Sequence, residues 1–303
     1  MTELTDFQQK IAEFVSDIDV RYNELMAKHT SFRIGGAAEV MAFPKTAEEL
    51  AVLLRTAQML RMEPAILGAG TNVLAPDEGI SGLCICLKDS LDGMELLGGN
   101  RVRIMAGVTM TRAAVFAANH GLSGMEFAHG IPGTVGGGVY MNAGAYGGEI
   151  RDICESVEVM DRKGNLRTLS KAEMQFSYRH SLLEETGGIV ISAIFQLKPE
   201  NTEDIKAKMK ELQSKRSISQ PLDLPSAGSA FKRPVGGYAA ALIDQAGLKG
   251  FTVGGAAIST KHAGFAVNLG GATAEDVKSL LRQVSDLVFE KSGIRLEPEV
   301  RIW

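Results

Sequence analysis

Residues 130–148 read GIPGTVGGGVYMNAGAYGG, a run of nineteen positions with eight glycines, three more alanines or threonines and no charge. A segment so short of bulky side chains adds little to a core. Its backbone can, however, approach a flat ligand closely and present N–H groups to it. A flexible linker would favour Ser and charged residues and would not embed Ile131, Val135, Tyr140, Met141 and Tyr146. The stretch 128–148 is therefore expected to be a long ligand-facing loop. A second glycine stretch, Gly68-Ala69-Gly70-Thr71-Asn72, follows the apolar run from Pro64 to Leu67. Successive backbone N–H groups there form a concave anion site, and Thr71 and Asn72 add donors. A Rossmann fingerprint is disfavoured, because Val73 stands where the third glycine is required and LAPDEG carries a proline that cannot start the helix.

Outward from these stretches the chain alternates strands and helices. Phe7, Ile11, Phe14 and Val15 predict an opening amphipathic helix over 4–15. A strand at 38–43 precedes a helix that Thr46 and Glu49 cap and that ends near Leu60, and AILGAG starts the next strand. Strands near 83–87 and 101–106, a helix from about 109 to Gly121, and strands at 154–160 and 188–197 follow, with a short helix capped by Ser170 and Glu173. This rhythm is that of an α/β domain. The polar run PENTED (199–204) marks the expected boundary, with one region over 1–201 and an α+β domain over 202–303. In the latter, helices are expected at 203–216 and 238–246, strands near 252–259 and 264–268, and a last helix from Thr273 to Gly293.

Composition narrows the class. In 303 residues, 32 Lys+Arg against 36 Asp+Glu give a formal charge of −4 without long like-charge blocks, which argues against a nucleic-acid partner. No apolar stretch reaches a membrane span, and MTELTDFQQK is not a secretion signal, so a cytoplasmic protein is expected. Cys84, Cys86 and Cys154 lack metal-site spacing and suit reduced buried thiols; no metal is expected. His129, His180 and His262 lack partners for a hydrolytic triad or zinc site, and Ser229 lacks a G-x-S-x-G elbow.

Three polar residues stand out: Arg179 in SYRHS, Ser229 in PSAGSAFKRP and Glu299 in LEPEVRIW. Each alone reads as an ion-pair member, a turn residue and a tail carboxylate, and spacing does not unite them. Lys215, Arg216, Lys232 and Arg233 flank the Ser229 loop as a positive patch that could face a diphosphate.

KHTSFRIGG (28–36), ILGAGTNVL (66–74), IPGTVGGGVYMNAGAYGG (131–148), YRHS (178–181), AGSAFKRP (227–234), KHAGFAVN (261–268) and LEPEVR (296–301) occur in this order. Together they resemble the UDP-N-acetylenolpyruvoylglucosamine reductase family, from about residue 28 to the end. The resemblance implies an FAD-binding region of the vanillyl-alcohol-oxidase type with two α/β subdomains, followed by an α+β substrate-binding domain bearing Glu299. It also implies the compact branch that lacks an extra substrate loop. FAD and NADPH are the implied cofactors. The implied reaction is reduction of the enolpyruvyl ether of a UDP-sugar to UDP-N-acetylmuramate in peptidoglycan precursor synthesis. Arg179, Ser229 and Glu299 match the family's catalytic positions. Gly68, Ala69, Gly70, Thr71 and Asn72 would bind the FAD diphosphate, and Gly133, Thr134, Gly137 and Gly138 would line the flavin. Tyr146, Tyr178, Lys215, Arg216, Arg233, Lys261 and His262 are the implied substrate contacts. The sequence departs from the family's usual wording at Ala69 and Thr71. The alternatives are another FAD-dependent oxidase or dehydrogenase of the same fold and a non-catalytic UDP-sugar binding protein.

Overall fold

The computed structural model describes residues 4–303, and in it strands Asp19–Leu25, Ala37–Phe43, Ile80–Cys86 and Ala65–Leu67 lie side by side in that order. Ala65–Leu67 runs parallel to its neighbour, with Ala65 opposite Cys84 and Leu67 opposite Cys86. Helix Ala47–Met59 carries the chain from Ala37–Phe43 to Ala65–Leu67, and residues 68–79 connect Ala65–Leu67 to its parallel neighbour. Thr46 caps that helix as expected, its Oγ1 accepting from Glu49 N at 3.2 Å. The return bond goes one residue further out, from Lys45 N to Glu49 Oε2.

A second, antiparallel sheet has the order Leu166–Ser170, Cys154–Met160, Ile189–Gln196, Arg101–Met105, Met94–Gly98. Its two edge strands escape sequence reading because most of their side chains face solvent, so no alternation marks them. One apolar cluster, including Leu53, Ile85, Ile104 and Phe195, serves both sheets.

A third sheet has the order Ser226–Ser229, Phe265–Asn268, Ala256–Ile258, Thr252–Val253, and is antiparallel. Helices Ala239–Gln245 and Ala274–Ser292 bury Ile243, Val277, Leu280, Leu281, Val284 and Val288 in its core. The last helix follows the expectation closely: Thr273 and Asp276 form a capping box and Gly293 ends it at φ 71°.

Contacts divide the chain into two units. The first holds the described residues up to Tyr22, Glu39–Ala69 and Gly82–Ser214; the second holds Asn23–Ala38, Gly70–Ser81 and Lys215–Trp303. The sequence placed one cut at 201/202, but the last division falls at Ser214/Lys215, inside helix Thr202–Ser219. Two N-terminal segments also join the second unit, because Phe32, Ile34 and Leu74 are buried in its core. A polar stretch marks where the chain surfaces, not which core a distant segment fills.

Two local expectations are corrected. The stretch 128–148 is not a plain loop, since Val135–Tyr140 is helical. Three consecutive glycines disfavour a helix intrinsically; here packing decides, because a Cβ at Gly136 would lie 2.9 Å from Ala106 Cβ and one at Gly138 2.8 Å from Met110 Sδ. The helix expected after Ser170 is only a turn. Its capping bonds form, Ser170 N to Glu173 Oε2 at 2.8 Å and Glu173 N to Ser170 Oγ at 3.4 Å, but Gln175 at φ 47° ends it at once.

Candidate active site

In the first unit the glycine-rich segment supports the loop that carries Arg179. The four first-turn N–H groups of helix Val135–Tyr140 are already used. Val135 N donates to Val108 O, Gly136 N to Ala106 O, Gly138 N to Thr134 O, and Gly137 N to Thr134 Oγ1 at 3.3 Å. The contribution of Gly136 to Gly138 is therefore an absence of side chains rather than a set of N–H donors. Gly136 and Gly138 are buried against Ala106 and Met110, whereas Gly137 is exposed and a Cβ there would meet only Thr134 Oγ1, at 3.6 Å. Gly133 takes φ 145° just before the cap.

Beyond this helix, strands Gly144–Ala145 and Gly148–Glu149 form a hairpin whose two turn residues, Tyr146 and Gly147, sit at φ 53° and 88°. Such a turn favours Asn-Gly, and a tyrosine there is strained, a feature that clusters at functional sites. Arg179 is a second case, at φ 56°. Its Nη2 donates to Gly144 O at 3.5 Å, and its guanidinium carbon lies 5.2 Å from the centre of the Tyr178 ring.

In the second unit Ser229 and Glu299 are brought together. Ser229 pairs with Phe265, Ala230 N donates to Gly264 O, and Glu299 N donates to Ala230 O at 2.9 Å. Lys232 N donates to Glu297 O, so 230–232, directly after Ser229, and 297–299 run as one antiparallel ladder. Asn72 joins them: its Nδ2 donates to Glu299 O at 3.2 Å and its carbonyl accepts from Arg301 N. Gly70 is locked beside this ladder, at φ 60° with its carbonyl accepting from Ser31 N at 3.1 Å. Ser31 Oγ donates to Ser226 O at 2.6 Å, which ties KHTSFRIGG to the Ser229 strand. The separated stretches singled out as Gly70 to Asn72, Ser229 and Glu299 thus share one corner of this unit. No helix follows Asn72, as the proline in LAPDEG requires.

Arg216 is buried in helix Thr202–Ser219, with Nη1 near Gln220 Oε1 at 3.5 Å, and Lys215 precedes it on the surface. Lys232 is paired with Glu297, and Arg233 stacks 3.9 Å from the centre of the Tyr238 ring. Lys261 Nζ donates to Ser217 O at 2.7 Å, a cation on the last turn of a helix. His262 Nδ1 accepts from Gly264 N at 3.1 Å, and burial holds its pKa below the ordinary histidine value. Lys261 and His262 thus both serve local structure. Sequence reading missed Asn142, Ser181, Ser31 and Asp77, each a polar residue that bonds the backbone of a distant segment. The one signal available was an asparagine within the glycine run, since Asn tolerates a left-handed backbone.

The C-terminal-domain model of UDP-N-acetylenolpyruvoylglucosamine reductase matches residues 220–303, and an FAD binding domain model matches 38–170. A UDP-N-acetylenolpyruvoylglucosamine reductase of Caldanaerobacter subterraneus is 46% identical over 97% of this chain and 96% of its own length. That of Lactobacillus acidophilus is 48% identical over 94% of this chain and 95% of its own. The chain belongs to the UDP-N-acetylenolpyruvoylglucosamine reductase family. The crystal structure of the Thermus caldophilus member superposes with a TM-score of 0.80 at 37% identity, covering 94% of this chain and 98% of that one. The BBE-like 1 protein of Physcomitrella patens shares the fold alone, with a TM-score of 0.50 at 14% identity over 64% of this chain and 45% of that one. As a family member the chain is an FAD-dependent oxidoreductase.

The residues present fit that cofactor. A Cβ at Gly68 would lie 2.8 Å from Thr134 Oγ1, and one at Gly70 2.1 Å from His29 O, so both turns require glycine. Gly137 leaves backbone uncovered on the exposed side of its helix. Cys84, Cys86 and Cys154 are buried, and burial raises all three thiol pKa values, that of Cys154 to about 12. Such thiols stay protonated and unreactive at neutral pH. Among the described residues no helix is long and apolar enough to cross a membrane, and no group of three or more His, Cys, Asp or Glu could hold a metal ion.

Proposed function

We propose that this chain reduces the enolpyruvyl ether of UDP-N-acetylglucosamine enolpyruvate to UDP-N-acetylmuramate in the cytoplasm, for peptidoglycan precursor synthesis. The observation that carries the reading is 46% and 48% identity, over 97% and 94% of the chain, to two enzymes named as UDP-N-acetylenolpyruvoylglucosamine reductases. FAD, when bound, would supply hydride chemistry with electrons from NADPH. Gly68, Ala69, Gly70, Thr71 and Asn72 hold its diphosphate. Gly133, Thr134 and Gly137 would line the flavin, Thr134 through the cap it forms for Gly137, while Gly138 acts behind them by seating the helix on Met110.

Hydride addition to the terminal methylene carbon leaves negative charge on the neighbouring carbon and its carboxylate. The Arg179 guanidinium stabilises that charge, and Glu299 completes the polar surroundings of the carboxyl group. Ser229 Oγ donates its proton to the charged carbon. A serine hydroxyl is a weak acid, yet toward so basic a centre a positioned donor contributes roughly 10²–10⁴-fold. The strained backbone at Arg179 and Tyr146 supports their use in recognition, Tyr146 meeting the sugar nucleotide. Tyr178 and Arg233 are further contacts. Lys215, on the surface, would meet the UDP diphosphate with the buried Arg216 guanidinium adding its charge from behind, and Lys261 and His262 hold the local structure of their own turn.

The test is NADPH oxidation by the purified protein with and without the enolpyruvyl sugar nucleotide. Oxidation is expected only with substrate, and Ser229→Ala should lower turnover by roughly 10²–10⁴-fold with FAD still bound. Substrate-independent oxidation would favour a different flavoenzyme. Near-normal turnover in Ser229→Ala would remove the serine from the proton transfer.

A further inference from the structure

Arg179 occupies the third position of a four-residue turn. Ser177 N donates to His180 O at 3.1 Å and His180 N donates to Ser177 O at 3.2 Å, so the turn closes with Arg179 at φ 56°. A non-glycine residue in that backbone region is strained and persists only where the surroundings hold it. The holding group is Asn142. It is fully buried, and its Nδ2 donates to Ser177 O at 2.9 Å and to Glu149 Oε2 at 3.0 Å, while its Oδ1 accepts from Arg151 N at 2.9 Å. The Ser177 carbonyl that closes the turn is therefore the one the asparagine grips. Ser181, also buried, ties the other end of the turn by donating from Oγ to Tyr140 O at 2.7 Å.

Asn142 also governs where the guanidinium rests. Arg179 Nη2 reaches Gly144 O, two residues beyond Asn142, so the turn and the strand beneath the cation hang on one amide. Few side chains can replace it. The position asks for a left-handed backbone, at φ 43°, together with two N–H donors and one acceptor on a short stem. Aspartate has the shape but no N–H donors. Glycine has the backbone but no side chain.

We propose that Asn142 is a positioning residue that holds Arg179 in its strained, reaction-ready conformation through the Ser177 carbonyl. The inference rests on the role of Arg179 given above, and the experiment separates the two. Holoenzyme carrying Asn142→Gly, Asn142→Asp, Arg179→Ala or Asn142→Gly with Arg179→Ala is followed by rapid mixing. One measurement is flavin reduction by NADPH, and the other is reoxidation of the reduced enzyme by the enolpyruvyl sugar nucleotide. Hydrogen exchange at the His180 amide, without any substrate, reports the turn itself.

Asn142→Gly is expected to reduce with NADPH within about twofold of the parent rate and to reoxidise on the order of 10²-fold more slowly, the usual effect of a small misplacement. Its His180 amide should exchange faster, and the double variant should be no slower than Arg179→Ala alone. Asn142→Asp should show the same split between the two rates. Equal slowing of both half-reactions, additive effects in the double variant, or loss of FAD in both Asn142 variants would assign Asn142 to general stability and overturn the inference. If Arg179→Ala reoxidises at the parent rate, the role of Arg179 itself falls. Slow Arg179→Ala beside unimpaired Asn142 variants sinks only the positioning role.

Discussion

The three glycines at 136–138 do different work, although the sequence cannot tell them apart. A methyl group at Gly136 would meet Ala106 Cβ at 2.9 Å and the Ala106 carbonyl oxygen at 3.1 Å, so Gly136→Ala should destabilise the protein by about 1–3 kcal/mol. At Gly137 the space is open, and alanine is the better helix former by up to about 1 kcal/mol. Gly137→Ala should therefore raise the melting temperature of the FAD-free protein while weakening FAD retention. Thermal unfolding and flavin content, measured on both variants, check this opposition. A gain in stability with unchanged FAD binding would move the flavin away from Gly137. The same scale explains Arg179. Its place in SYRHS shows nothing unusual, and the strain that marks it exists only once the turn is closed and gripped.

Among the elements, the C-terminal helix shows how local signals and distant anchors combine. Thr273, Asp276 and Gly293 were legible because caps obey short-range rules. Asp77 was not, because its carboxylate reaches Ala274 N at 2.7 Å and Glu275 N at 3.2 Å from almost two hundred residues upstream. Thr273→Ala should cost about 1 kcal/mol. Asp77→Ala should lower stability as well and loosen the 70–81 segment, seen as faster hydrogen exchange there. Asp276 adds a pH dependence. Backbone N–H groups of Thr273 and Gly255 donate to its carboxylate and hold its pKa below the ordinary 3.8. A carboxyl group depressed in the folded state contributes stability above its unfolded pKa and loses it as pH falls toward the folded value. The melting temperature should thus drop on acidification below about pH 4, and less steeply in Asp276→Asn than in the parent. Equal slopes would remove Asp276 from this linkage.

For the whole molecule, the order of elements followed from periodicity, caps and breakers, and the family from motifs in series. The division into units did not. A fragment cut at 201/202 would leave 202–303 without Phe32, Ile34 and Leu74, three large side chains of its core. Each such loss costs about 2–5 kcal/mol against a typical total of about 5–15 kcal/mol. The isolated fragment should therefore show no cooperative thermal transition by circular dichroism, and a sharp transition would refute this account of its core. The amino-acid order alone determined the strands and helices that carry their own periodicity and caps, such as Ala47–Met59 and Ala274–Ser292, because those signals lie a few residues apart. It also carried the residue types needed for hydride and proton chemistry. Tertiary structure alone decided that the glycine run holds a helix, that Glu299 pairs with Ala230 beside Ser229, and that Asn142 grips the turn of Arg179. Each of these depends on groups far apart in the chain, whose meeting is set by which core they fill rather than by their neighbours in sequence.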